Sequence, residues 1–187
     1  STGFDALNQA FESIWNLNAN ELTRMLSRQA AVLSLKSLAI INESPTNNGL
    51  RRNLSLSSLY AGLAISQTRT SICHSISYPL TLKYGIEHGM ACSFSMLEVF
   101  KYNSAFIKDD IEYIRLNINQ DPYTALESIF KQHEIHHHLA KLIKEKSSFS
   151  DSIDEFITTG RFENNIRKCD RSDLIRIIND SFNSLTM

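Results

Sequence analysis

Residues 74–88 read HSISYPLTLKYGIEH, and the way this stretch breaks decides how the chain folds. His74 and His88 stand fourteen positions apart, with Pro79 and Gly85 between them. Proline lacks the donor that a helix interior needs, and it disfavours helical backbone at the residue before it. The spacing predicts a helical piece over TSICHSIS that ends near Tyr78, then a turn region in which Gly85 and Gly89 bracket His88. A new helix follows from about Met90 to Lys101, which puts His88 at a helix start.

Helical spacing extends outward in both directions. Phe4, Leu7, Phe11, Ile14 and Trp15 recur as one face of a first helix over about 3–16, and the stretch from Thr2 to Asp5 matches a capping pattern. Asn18 or Asn20 caps a long second helix carrying Leu22, Met25, Leu26, Val32, Leu33 and Leu38, which ends before the loop NESPTNNG. A third helix runs from Leu50 to about Ser66, and its Ala61, Gly62 and Ala64 admit a close helical neighbour. Later segments IKDDIEYIRLNI, PYTALESIFKQH, SIDEFITTG and DRSDLIRIINDSF also read as helices, with Pro122 at a first helical position. Strand-like alternation is nearly absent, so the expected fold is all-α, an antiparallel helical bundle without repeats or a glycine-rich phosphate loop.

At 187 residues the chain fits one domain with a sizeable core. Nineteen basic and twenty acidic residues are mixed along it, leaving a net charge of -1 and no field that would attract nucleic acid or anionic lipid. Cys73, Cys92 and Cys169 are an odd set without CxxC spacing, which argues against a disulfide framework and for a reducing cytoplasm. No segment reads as a signal peptide or a membrane span. The chain opens on what reads as a helix N-terminus with no leader or preceding strand, as expected of a piece of a longer protein.

Asp5 and Gln9 lie one turn apart on the same face of the first helix. A carboxylate there could join the imidazoles of His74 and His88 around a divalent cation, since N and O donors suit zinc, iron(II) or manganese. By themselves, Asp5 reads more readily as a helix-capping acid and the histidines as structural residues. His133, His136, His137 and His138 in HEIHHHL resemble a metal tract but read as a solvated surface, and Cys73 and Cys92, which near His74 and His88 would be soft ligands, read more readily as small apolar packing. Arg69, five positions before His74, reads as a surface arginine or as a partner for an anionic substrate group.

The segments STGFDALNQAFES, NLSLSSLYAGLAIS, CHSISYPLTLKYGIEHGMA and RFENNIRKCDRSDLIRIINDSF resemble, in order, the all-helical C-terminal half of the iron-containing (group III) alcohol dehydrogenases, within the dehydroquinate synthase-like superfamily. The resemblance covers nearly the whole chain. It implies that Asp5, His74 and His88 are metal ligands, that Gln9 stands where many members carry a fourth, histidine ligand and could ligate weakly or through water, and that Tyr78 stands where many carry another active-site histidine. The phosphonoacetaldehyde reductase-like branch looks most similar, and there Arg69 occupies the place of a basic residue.

The resemblance implies a bound divalent metal, iron(II) first with zinc or manganese as alternatives, and an NAD or NADP cofactor acting on a small alcohol or aldehyde. The nucleotide-binding βαβ region of the family lies in an N-terminal domain that would precede Ser1. Residues 1–187 are therefore expected to be a single helical metal-binding domain, inactive alone and prone to homo-oligomerise through apolar surface left exposed. Two other readings are a dehydroquinate synthase-like lyase, against which Asp5 argues because that branch typically has Glu there, and a helical domain that has lost metal binding.

Overall fold

The computed structural model describes residues 1–143 and 153–185. The described residues include the α-helices α1 (Thr2–Ile14), α2 (Glu21–Leu38), α3 (Asn48–Thr68), α4 (Ile72–Tyr84), α5 (His88–Asn103), α6 (Lys108–Ile118), α7 (Pro122–Gln132), α8 (Ile135–Leu142) and α9 (Arg171–Ser184). Among the described residues the only β feature is an isolated bridge between Asn16 and Asn165.

The first helix is the centre of the bundle, against which α2, α3 and α5 pack. Its Leu7, Phe11 and Ile14 and the capping Trp15 are fully buried, and Phe11 stacks on Trp15 while Phe100 of α5 meets both edge-on. Such aromatic contacts add to area burial. Asn20 and Thr23 form a reciprocal capping box that starts α2. The buried face of α3 is Ser57, Ala61, Ala64 and Thr68, residues small enough for α2 to approach closely. Ser57 Oγ lies 2.6 Å from Ser34 Oγ and donates to the Ala30 carbonyl, so the polar atoms of this tight interface are paired.

Pro79 does not end its helix. The break expected near Tyr78 is absent, and α4 continues through the buried Pro79 to Tyr84, with Gly85 in the left-handed region at φ 64°. An interior proline costs about 3 kcal/mol. Burial of Ile72, Ile76 and Leu80 along the same helix offsets that cost, so packing overrides the local preference. The helix expected over SIDEFITTG is likewise replaced, from Ile153 onward, by a 3-10 turn at Ile153–Phe156 and irregular chain; Ser152 lies outside the described residues. Ile153 and Phe156 are buried, so two anchored side chains hold this segment where a long amphipathic face would otherwise be needed.

HEIHHHL is only half solvated. His133 Nε2 donates to the Leu38 carbonyl at 2.8 Å and its ring meets Phe4 edge-on, while His136 sits against Phe130. His137 and His138 are exposed.

Candidate metal centre

The start of α1, the first turns of α4 and the start of α5 converge on one point. A Cβ on Gly89 would lie 2.2 Å from the Ser1 carbonyl oxygen and 3.0 Å from the Asp5 nitrogen, so only glycine lets α5 begin this close to α1. His88, one residue earlier, is thereby set opposite Asp5. Their side chains meet that of His74: Asp5 Oδ1 lies 3.4 Å from His74 Nε2 and 3.8 Å from His88 Nε2. Cys92, one turn after His88, brings its sulfur to 3.7 Å from His88 Nε2. The four donor atoms all lie within 4.8 Å of one another.

Glu12 fixes this arrangement from behind. It has no exposed surface and accepts from the backbone nitrogens of Ser71 and His74 and from His74 Nδ1 at 2.6 Å. Nδ1 therefore faces Glu12, and Nε2 is the ring nitrogen left facing Asp5 and His88. Glu12 stands seven positions after Asp5, on the same face of α1. That spacing is the signal that could have identified it in the sequence.

Burial would raise the carboxyl of Glu12, but His74 outweighs burial and holds it below the usual range. Burial also favours neutral His74, yet Glu12 first and then Asp5 raise it well above an ordinary histidine. Asp5, pushed up by burial, is held below its ordinary value by His74 and His88. The Cys92 thiol, which burial would raise, ends below its ordinary value beside the same two imidazoles. The reading of Cys92 as mere apolar packing is corrected by this contact; its place one turn after His88 was the available signal.

Gln9 donates from Nε2 to Asp5 Oδ2 at 3.1 Å and so orients the carboxylate. Tyr78 is half-buried, with its ring stacked on His88 at 6.1 Å between centroids. The Arg161 guanidinium lies 5.1 Å from the Tyr78 ring centre and donates to Thr70 Oγ1. Arg69 is not gathered with the donors. It caps α3 at φ 66° and borders a cavity of about 430 Å³ lined by Ile65, Arg69, Thr70, Thr159, Gly160 and Arg161.

One observation tests whether a cation fits. Asp5 Oδ1 is buried and accepts no hydrogen bond, although it faces two imidazole nitrogens. A buried polar atom without a partner is costly, and a cation among these donors would satisfy it. The residues fit a divalent metal.

Fold and site together define a class, an all-helical domain that gathers carboxylate, imidazole and thiol donors where three helices meet. The sequence profile of the Fe-containing alcohol dehydrogenase family, C-terminal, matches residues 1–182, and the chain belongs to that family. Phosphonoacetaldehyde reductase of Streptomyces viridochromogenes is 33% identical over 101 residues, covering 54% of this chain and 26% of that protein. The 1,3-propanediol dehydrogenase of Klebsiella pneumoniae is 30% identical over 103 residues, covering 55% and 27%. Among solved structures, an iron-containing alcohol dehydrogenase from Corynebacterium glutamicum superposes with a TM-score of 0.83 at 17% identity, over 96% of this chain and 50% of that one. Sulfoacetaldehyde reductase from Bifidobacterium kashiwanohense, solved with NAD+, superposes with a TM-score of 0.79 at 22% identity, over 96% and 49%. The chain thus spans about half the length of these solved chains. Among the described residues no helix is long and apolar enough to cross a membrane.

Proposed function

We propose that this chain is the metal-holding half of an NAD(P)-dependent alcohol dehydrogenase or aldehyde reductase, with Asp5, His74 and His88 as metal ligands. The carrying observation is the buried Asp5 Oδ1, which accepts no hydrogen bond and faces His74 Nε2 and His88 Nε2. Iron(II) is the first candidate, with zinc or manganese as alternatives. The bound ion supplies Lewis acidity toward a carbonyl or alcohol oxygen. The nicotinamide cofactor belongs to an N-terminal domain outside this chain.

Each residue has a part. Glu12 holds His74 in the tautomer whose Nε2 faces inward, and Gln9 steadies Asp5 through its second oxygen. Tyr78, stacked on His88, supports a role for its hydroxyl in hydrogen bonding near the reacting oxygen. Two relatives are named for reducing aldehydes that carry a phosphonate or a sulfonate. That supports a small anionic aldehyde as substrate and Arg69 as the residue that holds its anionic end, through a planar fork suited to paired oxygens. Leu59 and Leu63 of α3 and Leu82 of α4 are exposed apolar side chains, available to an N-terminal domain or to a second subunit.

Elemental analysis of the protein restored to two domains tests the reading. A stoichiometric divalent ion is expected, lost in His74→Ala and in Asp5→Ala; a correctly folded protein that takes up no ion overturns it. In the same protein Arg69→Ala should cut kcat/KM for an anionic aldehyde at least about tenfold, which is about 1.4 kcal/mol, and spare a neutral one of similar size. Equal losses on both remove the anionic substrate.

A further inference from the structure

We infer that Cys92 is a fourth protein ligand of this centre, so that the ion is held by one oxygen, two nitrogens and one sulfur, and Gln9 acts only through Asp5. This rests on the metal-centre reading above and extends it. Cys92 is fully buried, and its sulfur points at the imidazole edge that faces Asp5.

Distances carry the argument. A tetrahedral ion with bonds of about 2.0–2.1 Å to imidazole nitrogen and carboxylate oxygen, and about 2.3 Å to thiolate sulfur, has N–O edges of about 3.4 Å and N–S edges of about 3.6 Å. Here the N–O separations are 3.4 Å and 3.8 Å and the N–S separation is 3.7 Å. These three separations match such edges to within about 0.4 Å, and all four donor atoms lie within 4.8 Å of one another. Gln9, by contrast, spends its amide donor on Asp5 Oδ2.

The donor set has chemical consequences. Thiolate with imidazole favours a borderline-soft ion such as zinc or cobalt(II) over manganese, which prefers oxygen. Binding displaces the thiol proton into solvent, leaving an S–metal bond. Four protein donors fill a tetrahedral shell, and a ligand from solution enters it by expansion to five.

Cobalt(II) added to the chelator-treated protein decides the matter, because cobalt shows ligand-field bands when bound and a near-ultraviolet charge-transfer band only when bound to thiolate. Both are expected in the wild type. The charge-transfer band should persist in Cys73→Ala/Cys169→Ala, where Cys92 is the sole thiol of residues 1–187, and vanish in Cys92→Ser. Competition with a chelator should show zinc affinity at least about tenfold weaker in Cys92→Ser. Ligand-field bands without the thiolate band, or a band lost in the double variant, overturn the role of Cys92 and leave the metal centre standing. Absence of both bands overturns the metal centre as well. Because the double variant retains Cys92, the test survives even if Cys92→Ser does not fold.

Discussion

Glu12 is a charged group with no exposed surface, sustained by three donors from the start of α4 and by the His74 imidazole among them. Glu12→Ala would strand those donors, at a cost of about 3–5 kcal/mol for a buried ion pair that loses one partner. Glu12→Gln keeps the shape but not the charge, and should weaken metal affinity about ten- to a hundredfold with the fold retained; chelator competition measures it. In the chelator-treated protein the pair also gives stability a pH profile. Glu12 lies below its ordinary 4.5, so its contribution is complete above 4.5 and is lost as pH falls through the lowered value. His74 lies above its ordinary 6.5, so its contribution is complete below 6.5 and is lost as pH rises through the raised value. Both are complete together between 4.5 and 6.5. Urea unfolding should therefore show the wild type's advantage over Glu12→Gln greatest in that window; an advantage independent of pH would dissolve the pair.

Helices set the site by where they begin. His88 and Cys92 are one turn apart on α5, His74 and Tyr78 one turn apart on α4, and Asp5, Gln9 and Glu12 follow one face of α1, so three helix registers supply seven side chains. The register of α5 against α1 depends on Gly89. Alanine normally gains about 1 kcal/mol over glycine inside a helix. Here its Cβ would meet the Ser1 carbonyl at 2.2 Å, a backbone atom that cannot swing away. Gly89→Ala should lower stability by about 1–3 kcal/mol and weaken metal binding by pushing Asp5 from His88. Urea unfolding with a parallel zinc titration checks both, and a variant more stable than the wild type would show that α1 and α5 slide freely.

At the scale of the molecule, the bundle is organised around α1, whose inner face carries Phe11 and Trp15 against Phe100. Phe11→Ala should cost about 3–5 kcal/mol, much of the roughly 5–15 kcal/mol a domain commands, and calorimetry should find it far less stable; a loss below about 1 kcal/mol would mean that this core repacks. The helical class, the apolar face of α1, a cap for α2 at Asn18 or Asn20 and the placing of His88 at a helix start were legible in the sequence, because each rests on spacing or on chemistry between near neighbours; the structure selects Asn20. So were Asp5, His74 and His88 as a set, through the resemblance of their motifs. Other features needed the tertiary structure. Pro79 remains helical because α4 is buried on both sides of it, through Ile72, Ile76 and Leu80, a cooperative gain that no local preference reports. Glu12 faces His74 across 62 positions, Cys92 reaches the Asp5 cluster, and Arg161 lies over Tyr78 from a distant loop. The sequence by itself determined which faces of which helices would be apolar and offered Asp5, His74 and His88 as candidate donors; only packing decided which polar side chains share a buried point, because burial and charge pairing arise between segments that the chain order keeps apart.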